Sequence, residues 1–461
     1  MKRDNPSAHR CVRFSTVLLT GGLVLSGGVR GGDACHWPQW RGPTGNGVAC
    51  GAAPPVRWSE GAGIAWKREL PGRGLSSPVV WGDRIYVTTA VPVGPAVGAE
   101  RHAAAGAHDN MNAGQRMAFQ VIALSTDSGE IVWETTVRTQ RPHDSTHTSA
   151  SWASPSPVTD GERVFASFGS AGLYALDRSG KILWSVDLGD MQIRHGHGEG
   201  SSPVLHGDTL VVNWDHQGPS LLVALAASSG EERWRVERDE ITSWSTPLVV
   251  EHAGRAQVVV SATGRVRGYD LATGEVIWAA AGLSGNVVAS PVASGGRVYV
   301  GNSYERRAMM GIDLRRARGE IGGDAILWTR TRDTPYVPSP VLAGDTLCFL
   351  KHYQPLLTCV HGPDGRTLFG PQRLPGLADI YASPVAAGGR LYIVSRNGAT
   401  AVLRAAVEFR PLATNQLDDS FSASPAVAGG ALYLRGERFL YKIVGDPPPA
   451  IPTPSAGSQP R

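Results

Sequence analysis

Apolar and polar positions alternate along this chain in short runs, and the runs return in phase. SSPVVWGDRIYV at 76–87, ASPVASGGRVYV at 289–300 and ASPVAAGGRLYI at 382–393 are nearly the same phrase. Each has Ser before Pro, a Gly four residues after the Pro, and then an apolar run. Alternation over four to eight residues, bounded by Gly and Pro, predicts strands rather than helices. The Ser/Thr-Pro anchor stands at Pro78, Pro157, Pro203, Pro291, Pro340, Pro384 and Pro425, and a copy with a stretched turn stands at Pro247, making eight units. From Pro157 onward the anchors lie 41 to 49 residues apart, while the first gap is 79 because residues 91–118 are inserted. A unit of that length built of short strands has room for four, which is one blade of a β-propeller.

The first five units also carry a turn and a tryptophan in their fourth strand. GYDLATGEVIW at 268–278, ALDRSGKILW at 175–184, ALSTDSGEIVW at 123–133 and ALAASSGEERW at 224–234 end on Trp278, Trp184, Trp133 and Trp234, and Trp328 ends the fifth unit after an insertion. Asp or Ser followed by Ser/Thr-Gly makes a tight hairpin turn. A tryptophan recurring in the fourth strand can bury its ring between one blade and the next. Phe369 and Phe409 stand at this place in later units. The eighth unit lacks a fourth strand, because the chain runs from RFLYKIV into the Pro-rich 446–461. The run IAWKREL at 64–70, with Trp66 at the repeated position, supplies it. The expected architecture is therefore all-β: an eight-bladed propeller of four-stranded antiparallel blades over 64–445, closed by its N-terminal strand so that no sheet edge is left open.

The Asp-x-x-Thr-Gly-x-x-x-Trp turn resembles the tryptophan-docking repeat of PQQ-like (pyrroloquinoline quinone) β-propellers, the superfamily of quinoprotein alcohol dehydrogenases and BamB-like envelope proteins. The segment HWPQWRGPTGNGVA at 36–49, inside an extension spanning 35–63, is similar to the Trp-Pro entry that precedes such propellers. The resemblance implies a fold more than an activity, since one scaffold hosts many functions.

Composition narrows the setting. The chain of 461 residues is 42% hydrophobic and 18% charged with net charge +4, enough for a large core and too mildly basic to indicate nucleic-acid binding. Lys2, Arg3, Arg10 and Arg13 followed by FSTVLLTGGLVLSGG read as an export signal within 1–34, or as an uncleaved anchor. Gly32, Asp33 and Ala34 before Cys35 do not match a lipid-attachment site, and no later stretch is long enough to span a bilayer. A periplasmic or envelope location is expected. Removal of the signal leaves Cys35, Cys50, Cys348 and Cys359, enough for two disulfides. The pair at 348 and 359 would face each other across a hairpin, as a bridge or as buried thiols.

Candidate function falls on the loops. In a four-stranded meander the second-to-third turns and the connections between blades share one face, and here that face receives the long segments. Its candidate binding residues are His143, His147, Trp152, Trp214, His216, Trp244, Tyr304, Arg306, His352 and Tyr381. HGHGEG at 195–200 has metal-like spacing: in an extended chain His195, His197 and Glu199 project to the same side. The quinoprotein resemblance implies PQQ in the channel, with a vicinal Cys-Cys bridge, a calcium ion and a general-base Asp. No adjacent Cys pair exists, and no motif carries the other residues over. The expected function is a non-catalytic exported scaffold without a resident cofactor, binding a protein, peptide or small ligand on the loop-rich face. The alternative is a PQQ- or metal-dependent enzyme at the same mouth.

Overall fold

In the computed structural model, residues 35–96, 106–405 and 407–445 are described. The segment 1–34, expected to be an export signal or an anchor, and the Pro-rich 446–461 lie outside the described residues. Eight antiparallel sheets follow one another along the chain. Blade 1 comprises Val79–Trp81, Arg84–Val93, Arg116–Ser125 and Ile131–Gln140. Blades 2 to 7 begin at Val158, Val204, Leu248, Val292, Val341 and Val385, each just after a Ser/Thr-Pro anchor. Blade 8 holds Ala426–Ala428, Ala431–Arg435 and Phe439–Ile443, and Ile64–Glu69 pairs antiparallel with the last of these to complete it. The ring is thus closed by the two ends of the repeat. No helix among the described residues is long and apolar enough to cross a membrane.

The Ser/Thr-Pro anchor has a structural reason. The first strands of the blades touch one another around the axis, and the residue before each Pro links to the next blade. The backbone N–H of Ser77 donates to Ser156 Oγ, Ser156 to Ser202, Ser202 to Thr246 and Thr246 to Ser290. Ser290 then donates to Ser339, Ser339 to Ser383, Ser383 to Ser424, and Ser424 back to Ser77. The eight bonds measure 2.8 to 3.0 Å and form a complete circle. Proline holds the preceding residue extended, which aims its N–H across the blade boundary. Ser290→Ala leaves the buried Thr246 N–H without its acceptor and should cost about 1–3 kcal/mol, read from the urea midpoint.

The tryptophans link the same neighbours farther out. The indole N–H of Trp66 donates to Thr126 O, Trp133 to Arg178 O, Trp184 to Ala227 O, Trp234 to Leu271 O and Trp328 to Gly362 O, each acceptor lying in the turn of the following blade. Gly129, with φ +71°, lies flat under the Trp66 ring, and a Cβ there would come within 2.6 Å of it. Trp278, fully buried in a cluster that spans blades 4 and 5, is the exception in its hydrogen bond. Its N–H donates to Gln257 Oε1 inside its own blade, and its ring fills the space beside Gly268. The insertion in unit five is the cause, because Gly319–Ile321 adds a fifth, parallel strand against Val276–Ala281 where the ring would otherwise dock.

The extension ahead of the closing strand forms a plug across the inner strands. Trp37 exchanges two 2.8 Å backbone bonds with Val80 of blade 1, and Pro38 O accepts from Thr159 of blade 2. Asn46 bonds to both Ala293 N and Ala293 O in blade 5, and Ala386 of blade 7 donates to Gly47 O. The buried Arg41 guanidinium binds the Pro340 and Pro384 carbonyls. Disulfides join Cys35 to Cys50, which ties the plug's two ends, and Cys348 to Cys359, which are register partners in blade 6.

Candidate functional site

Above the plug, the axis widens into a cavity of about 470 Å³ open toward the loop-rich face, with Trp40 at its lower end. The Trp40 indole N–H points to Ser424 Oγ at 3.3 Å, so the floor rests on the hydroxyl circle. Seven of the eight residues of that circle, all but Ser290, line the lower wall.

Three histidines gather on the side of blades 1 to 3. His108 comes from the insertion in blade 1, His147 from the connection to blade 2, and His197 from the connection to blade 3. One ring nitrogen of each lies within 4.8 Å of the other two. Backbone bonds join the three segments: Asn110–Met111 pairs with Thr146–His147, Thr148 N donates to Asp109 O, and His147 N donates to His197 O. Asn110 Nδ2 donates to both His195 O and Gly196 O at 2.9 Å. His108 Nδ1 lies 3.0 Å from Gly106 O and His147 Nδ1 lies 2.6 Å from Ser149 Oγ. His197 Nε2 is buried with no hydrogen-bond partner among the described residues. Burial, then the neighbouring His147 and His108, push the His197 imidazolium down to about 4. His147 is lowered too, by burial and then by His108. Both shifts favour the neutral imidazole.

A row of aromatic rings occupies the opposite arc, on blades 5 to 7. Tyr304 stacks on Tyr336 with ring centres 5.4 Å apart, Tyr336 on His352 at 4.5 Å, and Tyr353 on Tyr381 at 5.7 Å. His352 meets Tyr353 at 4.4 Å, and the Arg396 guanidinium lies 5.0 Å from the Tyr381 ring centre. Asp109, His195, Asn286 and His352 all have left-handed φ between 52° and 60°, a backbone strain that gathers around this mouth.

The expected site residues divide accordingly. His147, His197, Trp244, Tyr304, His352 and Tyr381 line the cavity, as does Glu199 at its edge. The extended geometry expected for 195–199 does not form, because Gly196 and Gly198 take φ of +60° and +85° and His195 sits in a short 3-10 turn. His195 consequently lies beside the trio, its ring 5.3 Å from that of His197, and outside the cavity lining. Glu199 turns away to accept bonds from Ser170 N and Ser170 Oγ, and burial raises its carboxyl to about 7. His143 bonds Met191 O, and Trp152 donates to Asp144 O in a side pocket. Trp214 is a core residue, and His216 is spent on the Pro219 carbonyl and the Gln192 N–H. Arg306 reaches back to Leu283 O. His108, Tyr336, Tyr353, Asn286 and Trp40 also line it without having been singled out in the sequence.

The family described as outer membrane protein assembly factor BamB matches residues 117–370, more than half of the chain. This chain belongs to that PQQ-like propeller family. Solved structures agree in fold. BamB from Moraxella catarrhalis superposes with a TM-score of 0.55 at 15% identity, covering 82% of this chain and 97% of that one. Quinohemoprotein alcohol dehydrogenase from Comamonas testosteroni gives 0.59 at 11%, covering 92% and 82%. The enzyme ADHIIG from Pseudomonas putida HK5 gives 0.58 at 12%, covering 92% and 83%. Identities this low carry the fold alone. No curated protein sequence matches this chain.

The sequence resemblance to quinoproteins implies a quinone with a calcium ion, and the donors among the described residues do not fit that arrangement. The four described cysteines are committed to separate bridges within the plug and blade 6. Of the two carboxylates in the lining, Asp109 and Glu199, the second is held by Ser170, whereas the convergent donors are imidazole nitrogens. Calcium calls for six to eight oxygen ligands.

Proposed function

We propose that this protein is an exported binding propeller that holds a small ring-bearing organic ligand at the loop-rich mouth of its channel. The observation that carries this reading is the cavity: about 470 Å³, floored by a tryptophan and walled by stacked tyrosines. That volume is within the usual range of small-molecule sites, and planar aromatic walls favour a ring stacked between or upon them. The site stands on a frame braced by the hydroxyl circle and the plug, so little ordering cost remains to be met on binding. Export is supported by the basic and apolar N-terminal run and by two disulfides, which persist in oxidising compartments. The family's own description, an assembly factor of the outer membrane, accords with an envelope location and with a protein partner on the same face.

Saturation-transfer NMR on the chain starting at Cys35, with a panel of aromatic acids, nucleobases and monosaccharides, tests the reading. At least one class should bind, and Tyr336→Ala/Tyr353→Ala should lose that signal while keeping the melting temperature within a few degrees. A panel that binds nowhere, or binds equally to both proteins, would contradict a ring site here. A second reading, a metal-dependent enzyme at the same mouth, is favoured by the three convergent imidazoles. Turnover of a bound ligand, lost on removing those imidazoles, would select it.

A further inference from the structure

We infer that His108, His147 and His197 form a site for one divalent ion of the Zn²⁺ class, with its remaining coordination position turned into the cavity. The inference rests on the reading of the mouth as a binding site and names one of its occupants. Three features carry it together. The first is convergence: ligand nitrogens from three separate segments lie within 4.8 Å of each other. The second is orientation. Gly106 O accepts from His108 Nδ1, which leaves that ring's Nε2 as the outward ligand atom, and the Ser149 hydroxyl and amide fix the His147 ring at Nδ1. Metal-binding histidines are held in this way, by a carbonyl or oxygen on the far ring nitrogen. The third is the His197 Nε2, a buried polar atom with no hydrogen-bond partner among the described residues.

The same trio could instead be a group of imidazoles brought together by loop packing. The cross-ties argue against chance, since Asn110, Ser145 and the His147 and Thr148 amides bind the segments' backbones while leaving the ring nitrogens aside. At a metal–nitrogen distance of roughly 2.0–2.1 Å, tetrahedral ligands stand roughly 3.3 Å apart, so a modest closure is needed. His108, the exposed member on a turn beside Gly106, is the arm that can supply it. Imidazole donors select Zn²⁺, Cu²⁺ or Ni²⁺ over Ca²⁺ and Mg²⁺. Three protein ligands and one open position are the arrangement of zinc sites that accept an exchangeable ligand. The three histidines and the tyrosine row line the same cavity, so a ring ligand bearing an oxygen donor can stack at one end and coordinate at the other.

Calorimetric titration of chelator-treated chain, residues 35–461, with Zn²⁺ at neutral pH tests the site, alongside the absorption spectrum of the Co²⁺-loaded protein. One ion should bind per chain, and Co²⁺ should give the intense visible bands of a four-coordinate centre. His197→Ala should weaken binding by at least the roughly 10- to 100-fold that loss of an outer-shell partner alone costs, and His143→Ala should leave it unchanged. Equal affinity in a His108→Ala/His197→Ala chain, or absence of a 1:1 event in the unaltered protein, would overturn the inference. Should a variant fail to fold, nitrogen hyperfine splitting from three imidazoles in the Cu²⁺ spectrum of the unaltered protein decides, and fewer than three overturns it. The Tyr336→Ala/Tyr353→Ala chain separates the two proposals: Zn²⁺ bound normally with no ring ligand bound by either protein defeats the ligand reading alone, and the reverse pattern defeats the ion alone.

Discussion

A chain that begins at residue 72 should lose cooperative folding. That truncation removes the plug and Ile64–Glu69, the outer strand of blade 8. The N–H and C=O groups of Phe439–Ile443 would face solvent along one edge, and Lys67, which sits 4.3 Å from the Phe439 ring centre and 5.2 Å from that of Tyr441, would no longer cover them. An unpaired edge invites pairing with another chain, so aggregation should accompany the loss. Trp66→Ala isolates the strand's own share. Trp66 is half-buried, sits on Gly129 and donates 3.0 Å to Thr126 O. The expected cost is about 2–3 kcal/mol, below the 3–5 of a fully buried tryptophan. Guanidinium unfolding followed by circular dichroism measures both. A truncated chain with the midpoint of the full one would refute closure by the N-terminal strand.

Trp37→Ala should be the most damaging single change in the plug, at about 3–5 kcal/mol. The side chain is fully buried, in a cluster that includes Val80, Ile85 and Tyr433. Gly42 passes so close to its ring that a Cβ would lie 2.8 Å away, so the tight turn and the ring define each other's position. Losing the ring should loosen the turn and with it Arg41 and Trp40. The amides of Leu342 and Ala386, which donate to Asn46 O and Gly47 O, report on this directly by hydrogen exchange. Both should exchange faster in the variant than neighbouring amides within the blades. Protection that persists at those two amides would show that the plug does not depend on Trp37.

Much of this architecture was legible because repeats state the same contact many times. The phase of the Ser/Thr-Pro anchors and of the tryptophans predicts blades, order and closure. The meaning of the anchor was not legible, since an N–H to Oγ bond between units 41 or more residues apart leaves no local pattern. Trp278 shows a different limit. Gly268, where Ala123, Ala175 and Ala224 stand in other units, was visible, but only the docked fifth strand explains why that ring turns inward.

The candidate site was read less well, for physical reasons. His108 meets His147 only because two-residue strands at Asn110 and Thr146 pair across the insertion. His216 was a candidate on the loop-rich face, yet a hairpin tip satisfies its own polar groups first. Alternation assigned His195, His197 and Glu199 to one side, and two left-handed glycines sent them three ways. The aromatic row came through in part, as Tyr304, His352 and Tyr381, while Tyr336 and Tyr353 gave no separate signal.

Crystals of the chain starting at Cys35, soaked with a library of small ring fragments, test the central claim most directly. Fragment density should gather between the Tyr336–Tyr353 row and the three histidines, above Trp40. Fragments that cluster on the short-turn face, or that leave this mouth empty while binding elsewhere, would contradict it.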